Sequence, residues 1–395
     1  MSRLSAKHTL VIPTFNRPSL LKRLVSYYCG LDDLPNMLIL DSSCAEDFEA
    51  NQLSLSGLPG DVRHVQFSQD TEFATKLSAG LKTVTTPYVS FCADDDLVFL
   101  SSVRKSMDIL EAESSAVSVH GLYMNFREEG QNVHISCEYG NPSNDAAQAG
   151  ARVFRLFQKY ESLFYSVFRT RDLQEIFAEV EKLPTLHFQE LFQSVAALLK
   201  GKVLNIEQIY AARRSGPEAD PTRDKWQTYY WFMDDPSELM AHYQSYRDAL
   251  LDLHEREGFT SGVSRSDMQK ILDAAHAVYF SANCPPPYFW SILQHHWPDE
   301  PFVKAGEQDL FETIKNRSRA NSVLTHLDEP REESSILRWL KRRLSGPGER
   351  GLNAEAQERF DQPWKCVLPL ELRWISENKD FRDRYFDLCE YLDKA

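Results

Sequence analysis

Glycine is scarce in this chain, with 16 in 395 residues, about half the share of an average globular protein. No segment can therefore form a long glycine-rich phosphate cradle. Basic residues are also in deficit: 44 Lys and Arg face 58 Asp and Glu, a net charge of −14. Such a balance excludes a general nucleic-acid binder, which needs a basic excess to neutralise phosphates. It still admits a small anionic ligand wherever cations or a metal gather locally. Cysteine offers no framework, because the seven residues are odd in number, scattered, and contain no C-x-x-C pair. Cys29, Cys92, Cys137 and Cys389 lie in apolar surroundings, where a thiol behaves as a small hydrophobe. Neither a disulfide scaffold nor a zinc site is expected, and a reducing cytoplasm is the expected compartment. No apolar run approaches the ~20 residues of a membrane span, and the lead from Met1 to His8 carries no signal-peptide pattern. We expect a soluble intracellular protein.

What is present is ample material for a core: 42% hydrophobic residues and 12% aromatics, which excludes a disordered chain. The length suggests two or three units, or one large α/β domain with an appendage. The first 210 residues alternate between short apolar runs and amphipathic stretches. Strands are expected at 9–13, 36–41, 62–67, 88–92, 116–120, 164–169 and 203–211. Helices are expected at 18–29, 72–84, 101–113 and 186–200. Pro18 suits a first helical turn, where its missing N–H costs nothing, and Phe73, Leu77 and Leu81 share one face at i, i+4 spacing. This alternation predicts an α/β fold with a mostly parallel sheet and helices on both faces. Ligands of such sheets bind beyond the carboxyl ends of the strands.

Three strand ends carry polar clusters: P-T-F-N-R-P from Pro13 to Pro18, D-S-S from Asp41, and the triplet Asp94, Asp95 and Asp96. Adjacent carboxylates repel one another, and a divalent cation is the usual remedy. Magnesium or manganese is commonly held by one or two carboxylates while substrate phosphates fill other positions. The bland alternative is an acidic turn capping the next helix.

The order P-T-F-N-R-P, then L-I-L-D-S-S, then a Lys-bearing helix, then T-T-P-Y-V-S-F-C-A-D-D-D resembles a family-2-type glycosyltransferase of the GT-A fold. The likeness is to a bacterial branch with an "IPTYNRP" opening and a "CADDD" motif, and it spans residues 8 to about 214. It implies an inverting, Mn2+- or Mg2+-dependent transfer of a sugar from a nucleotide diphosphate, a UDP-sugar first, to a glycan, lipid-linked or protein acceptor in surface glycan synthesis. Matched to the family, Pro13, Thr14, Asn16 and Arg17 hold the nucleotide base and ribose, and Asp41 contacts the base. Lys76 lies near the pyrophosphate; read as a lone lysine, it would sit on a solvated helix face. Asp94 and Asp95 serve the nucleotide sugar, and Asp94 and Asp96 serve the metal, with Asp96 favoured as ligand and Asp94 on the ribose. Many relatives carry a further Asp where this chain has Cys92.

Inverting transfer needs a carboxylate to take the proton of the acceptor hydroxyl. In the family this base follows the metal motif by roughly a hundred residues, and Glu190, at the opening of a helix, matches it; a surface glutamate in the first turn is the alternative. His187 is a possible neighbour. The basic pair Arg213 and Arg214 resembles the family's closing Tyr-x-x-Arg and would neutralise the leaving diphosphate. Arg169 is a weaker candidate for the acceptor side, and His120 with Gly121 for the sugar pocket.

Past Gly216 the character changes. Pro217 and Pro221 mark a linker, and helices are expected at 237–257, 266–280 and 309–315, with a last helical stretch rich in Trp, Phe and Tyr. The chain thus divides into a catalytic GT-A-like domain, 1–216, and a mainly helical region, 217–395, serving acceptor binding, assembly or membrane-surface contact. The basic amphipathic stretch 334–344 would suit peripheral contact with the inner face of an anionic membrane. Two other classes compete: a sugar nucleotidyltransferase, which normally opens with a Gly- and Arg-rich phosphate loop absent here, and a non-catalytic binding module of the same fold.

Overall fold

The computed structural model describes residues 4–138, 140–215, 235–256, 263–283, 286–306, 364–368 and 378–394. The expected linker prolines, the helix at 309–315 and the amphipathic stretch 334–344 lie outside the described residues.

The described residues form an α/β unit around a ten-stranded sheet. Strand β1 (His8–Thr14) is flanked by β2 (Asn36–Asp41) on one side and β4 (Tyr88–Phe91) on the other, both parallel to it. Strand β3 (Val62–Gln66) extends the parallel run beyond β2. Leu10, Val11, Ile12, Leu38, Ile39 and Leu40 are fully buried, as expected of a parallel strand covered on both faces. After a short α1 (Leu4–Lys7), helices α2 (Pro18–Cys29) and α3 (Ala45–Leu55) connect these strands in turn, and α4 (Phe73–Leu81) carries the chain back to the far side of β1. Strand order therefore reverses between β1 and β4. Such a switch point opens a crevice beyond the strand ends.

The rest of the sheet corrects the expectation of a mostly parallel one. Strand β8 (Val167–Arg169) runs antiparallel to β4 and to β6 (Ala116–Glu129), and β6 forms an antiparallel hairpin with β7 (Asn132–Glu138). Gly130, at φ +60°, makes the hairpin turn, a conformation that glycine adopts without steric cost. Strand β9 (Lys202–Arg214) runs parallel to β6 and antiparallel to the two-residue β5 (Leu97–Val98). The sheet is mixed.

Helices α6 (Ala149–Gln158), α7 (Thr170–Val180) and α8 (Leu186–Lys200) pack together with this half of the sheet. Among the described residues after 216, helices dominate: α9 (Pro236–Arg256), α10 (Arg265–Asn283), α11 (Pro286–His296) and α12 (Pro301–Ala305). Helix α9 lies on α8 and α10 on α6, where Tyr243, Tyr246 and Phe280 meet Phe188. Two later segments return to the sheet unit. Strand β10 (Lys365–Val367) pairs with β7, and α13 (Lys379–Leu392) packs on α2 and β9. There the Arg23 guanidinium lies 5.2 Å from the Tyr391 ring centre, and Asp380 accepts a hydrogen bond from the Ile209 N–H. Among the described residues, no helix is long and apolar enough to cross a membrane.

Candidate active site

A cavity of about 570 Å3 opens at the switch point between β1 and β4. Its lining includes Pro13, Thr14, Asn16, Arg17, Lys76, Asp94, Asp95, Asp96, Glu190, Arg213 and Arg214. Of the residues expected to hold the donor, the metal and the acceptor proton, Asp41 alone is missing from the lining; the weaker candidates His120, Gly121, Arg169 and His187 are outside it as well.

The aspartates sit in a tight turn between β4 and β5, closed by a hydrogen bond from the Asp96 N–H to the Ala93 carbonyl at 3.2 Å. Pairing of Leu97 with Ala212 then brings the following residue of β9, Arg213, opposite Asp96. Asp94 accepts from the Thr14 hydroxyl at 2.7 Å, and the Arg17 guanidinium reaches Asp95 at 3.0 Å and Asp94 at 3.4 Å. Asp96 accepts from the Arg214 backbone N–H at 2.7 Å and from the Tyr165 hydroxyl. The Arg213 guanidinium lies over the Tyr165 ring. Burial raises all three carboxyls, Asp94 to about 6 and Asp96 to about 7, and the charge of Asp95 adds to the rise at Asp96. Arg17 and Arg213 act in the opposite direction.

Lys76 overturns its reading as a lone surface lysine. It is 3% exposed, and its ammonium donates to the Thr14 carbonyl at 3.1 Å and the Ser42 hydroxyl at 2.8 Å. Gly80, one turn further along α4, explains the reach: a Cβ there would meet Leu40 at 2.5 Å, so α4 lies close against β2. Burial lowers the Lys76 pKa to about 8, against the pull of Asp41 and Asp94. Phe73, expected on the buried face with Leu77, instead lines the cavity and is 38% exposed.

Asp41 sits behind the cavity wall, fully buried. It accepts from the Ser43 N–H at 2.8 Å, the Asn51 amide at 2.7 Å and His64 at 2.9 Å. Burial raises its pKa, but these hydrogen bonds outweigh that and hold it at about 2. Asn16, in the left-handed region at φ +53°, ties the same loops together. Its N–H donates to Ser43, and its side-chain oxygen accepts from the Cys44 N–H, both at 2.8 Å.

Glu190 faces the cavity from the second turn of α8, not the first, because Thr185 is the N-cap, accepting from the Phe188 N–H. The Tyr160 hydroxyl donates to Glu190 at 2.9 Å. Burial raises the Glu190 pKa, opposed by Tyr160, Arg213 and Ser162. His187 is buried beside Phe188 and Tyr279 and lies outside the lining. Arg169 does not face an acceptor: it donates to the carbonyls of Leu110, Glu113 and Ala116, closing the end of α5 (Leu100–Ala112). His120 lines a separate cavity of about 280 Å3.

Sequence reasoning did not single out Tyr160, Tyr165, Gln189 or Gln193, although Tyr165, Gln189 and Gln193 line the cavity and Tyr160 holds Glu190. One signal was available for the helix: Gln189 and Gln193 at i, i+4, with Glu190 beside them, put polar groups on one face of a largely apolar helix. Tyr160 and Tyr165 lie outside regular elements and carry no such signal.

With this arrangement in hand, family likeness is informative. Residues 9–177, a little over two fifths of the chain, match the model for glycosyl transferase family 2, so this segment is similar to that family. No curated protein matches the chain. Among solved structures, S. aureus TarS matches at 13% identity and a TM-score of 0.46, covering 80% of this chain and 53% of TarS. The chain thus spans about half of that TarS chain. TarS 1–349 in complex with UDP-GlcNAc matches at 13% identity and 0.48, covering 80% and 83%. The UDP complex matches at 13% and 0.48, covering 88% and 94%.

Proposed function

We propose that this enzyme is an inverting glycosyltransferase of GT-A type, moving a sugar from a nucleotide diphosphate, with UDP the first candidate, to an acceptor hydroxyl in bacterial surface glycan synthesis. The observation that carries the reading is one cavity that collects a carboxylate triplet, a buried lysine, three arginines and a separate carboxylate on α8. The segment to 216 would supply the donor site, and the helices after it would shape the acceptor side.

Asp94 and Asp96 would hold a divalent cation. The donor set fits: the carboxylate oxygens are hard ligands, and their burial in a mutually repelling cluster already draws in the Arg17 guanidinium. Among the described residues no group of three or more His, Cys, Asp or Glu side chains is arranged to hold a metal ion, so diphosphate oxygens would have to complete the shell. When bound, Mn2+ or Mg2+ supplies charge neutralisation at the diphosphate.

The chain's own groups perform the rest. Lys76 and Arg213 place positive charge where the diphosphate leaves, at the end of the cavity bounded by β1 and β4. Glu190 takes the proton of the acceptor hydroxyl as that oxygen attacks the anomeric carbon. A single displacement of this kind inverts the carbon's configuration. The test is turnover of UDP-GlcNAc and a panel of other UDP-, GDP- and dTDP-sugars with Mn2+, followed by the anomeric configuration of the product. Consumption of one sugar nucleotide with inversion is expected. Retention of configuration, or no consumption across the panel, counts against the reading.

A further inference from the structure

Glu190 is held by a side chain that the family motifs do not include. The Tyr160 hydroxyl donates to its Oε1 at 2.9 Å, from the loop that follows α6. The Tyr160 ring has little freedom. Phe157 of α6 stacks against it at 6.0 Å between ring centres, and Tyr279 of α10 meets it edge-on at 5.4 Å. Phe157 and Tyr279 also touch each other at 5.4 Å. His276, 4.3 Å from the Phe157 ring centre, is itself fixed by the Tyr246 hydroxyl at 2.8 Å and the Leu272 carbonyl at 2.7 Å. The helices after residue 216 thus set where the Tyr160 hydroxyl lies.

We propose that Tyr160 is a positioning residue for Glu190, pinning one carboxylate oxygen so that the other is presented to the acceptor; this rests on Glu190 being the base. A glutamate has three rotatable side-chain bonds, and its reactive oxygen is useful only within hydrogen-bond reach of the proton it removes. A half-buried hydroxyl needs a partner, and here the partner is the carboxylate. The groups facing Glu190 are Tyr160 and Ser162 from one loop and Arg213 from β9. All three favour the charged form, against burial. Removing the hydroxyl therefore leaves burial less opposed, and the carboxyl protonates at higher pH.

The test is Tyr160→Phe in the full chain, which keeps the ring and its packing. Turnover is read with UDP-GlcNAc and Mn2+, water serving as acceptor. Ionisation of Glu190 is read without turnover from its 13C carboxyl resonance, assigned as the signal lost in Glu190→Gln. The expected result is a kcat about tenfold lower, a donor KM within about twofold, and a Glu190 titration raised by about one pH unit. An unchanged Glu190 titration, or a lower melting temperature with unchanged kcat, overturns the proposal. Full turnover in Glu190→Gln would instead overturn the base assignment, while the carboxyl titration still decides whether Tyr160 holds the group.

Discussion

One wall of the cavity comes from two short loops at neighbouring strand ends, residues 13–17 and 94–96. Another part of the lining draws on Ser162, Phe164, Glu190 and Gln193, which the chain brings together from a loop and helix α8, while Tyr165 and Arg213, beside Asp96, join it to the first. The first wall is encoded locally: a parallel strand must end in a loop, and the switch point decides that these two loops face each other. The second exists only after α6, α7 and α8 have packed and β9 has paired with β5. Its geometry depends on tertiary contacts, including those from the helices after residue 216. Donor binding and acceptor activation should therefore respond to different substitutions.

The largest separation is expected at the aspartates. Asp96→Asn should weaken Mn2+-dependent UDP binding by at least ~10²-fold, since even outer partners of a metal ligand are worth 10–100-fold. Calorimetric titration of UDP with and without Mn2+ checks this. If metal dependence survives intact, the ligand role passes to Asp94 and the donor wall is drawn differently.

Lys76→Met comes next. It removes a charge but keeps an unbranched side chain of similar length, and should raise the donor KM about 10- to 100-fold, the range of one lost hydrogen bond to a charged group. The carboxyl titration of Glu190 should stay where it is. A shift there would mean that the two walls are coupled, contrary to the comparison.

Asp41→Asn should show as stability before function, with a loss of about 1–3 kcal/mol in chemical denaturation. The sign with pH follows from a folded-state pKa of about 2, below the ordinary carboxylate value near 3.9. The stabilising contribution is complete above pH ~4 and is lost as pH falls toward 2. The gap between wild type and variant should therefore shrink over that window. A gap that stays constant would show that Asp41 does not act through its charge.

The same contrast explains how much was legible in the sequence. Pro13, Arg17 and Asp94 announce themselves because an apolar strand, a proline and a polar cluster lie side by side in the chain. Family likeness put Lys76 near the diphosphate, whereas its own residues suggest a solvated face; the structure buries it in the cavity lining. Its burial follows from the close approach that Gly80 permits, which is a tertiary fact. Helix α3 went unread because its sequence, AEDFEANQLSL, offers few apolar positions, and only Asn51 is buried on it. Strands β7 and β8 run antiparallel to β6, and nothing in their short apolar runs specifies direction. The return of 365–367 and 379–392 to the sheet unit softens the expected division at 216, because contacts that distant leave no local trace.

The measurement that bears most directly on the account is the Glu190→Gln variant, assayed for transfer and for donor binding in the same preparation. The account predicts a rate lower by about 10²–10⁴-fold, with UDP and Mn2+ binding as in wild type. In the wild type, the rate should fall on the acid side at a pH above the ordinary glutamate value of 4.5, since burial raises this carboxyl and only the ionised form accepts a proton. A variant rate within threefold of wild type, with chemistry limiting turnover, would contradict the assignment of Glu190 as the base.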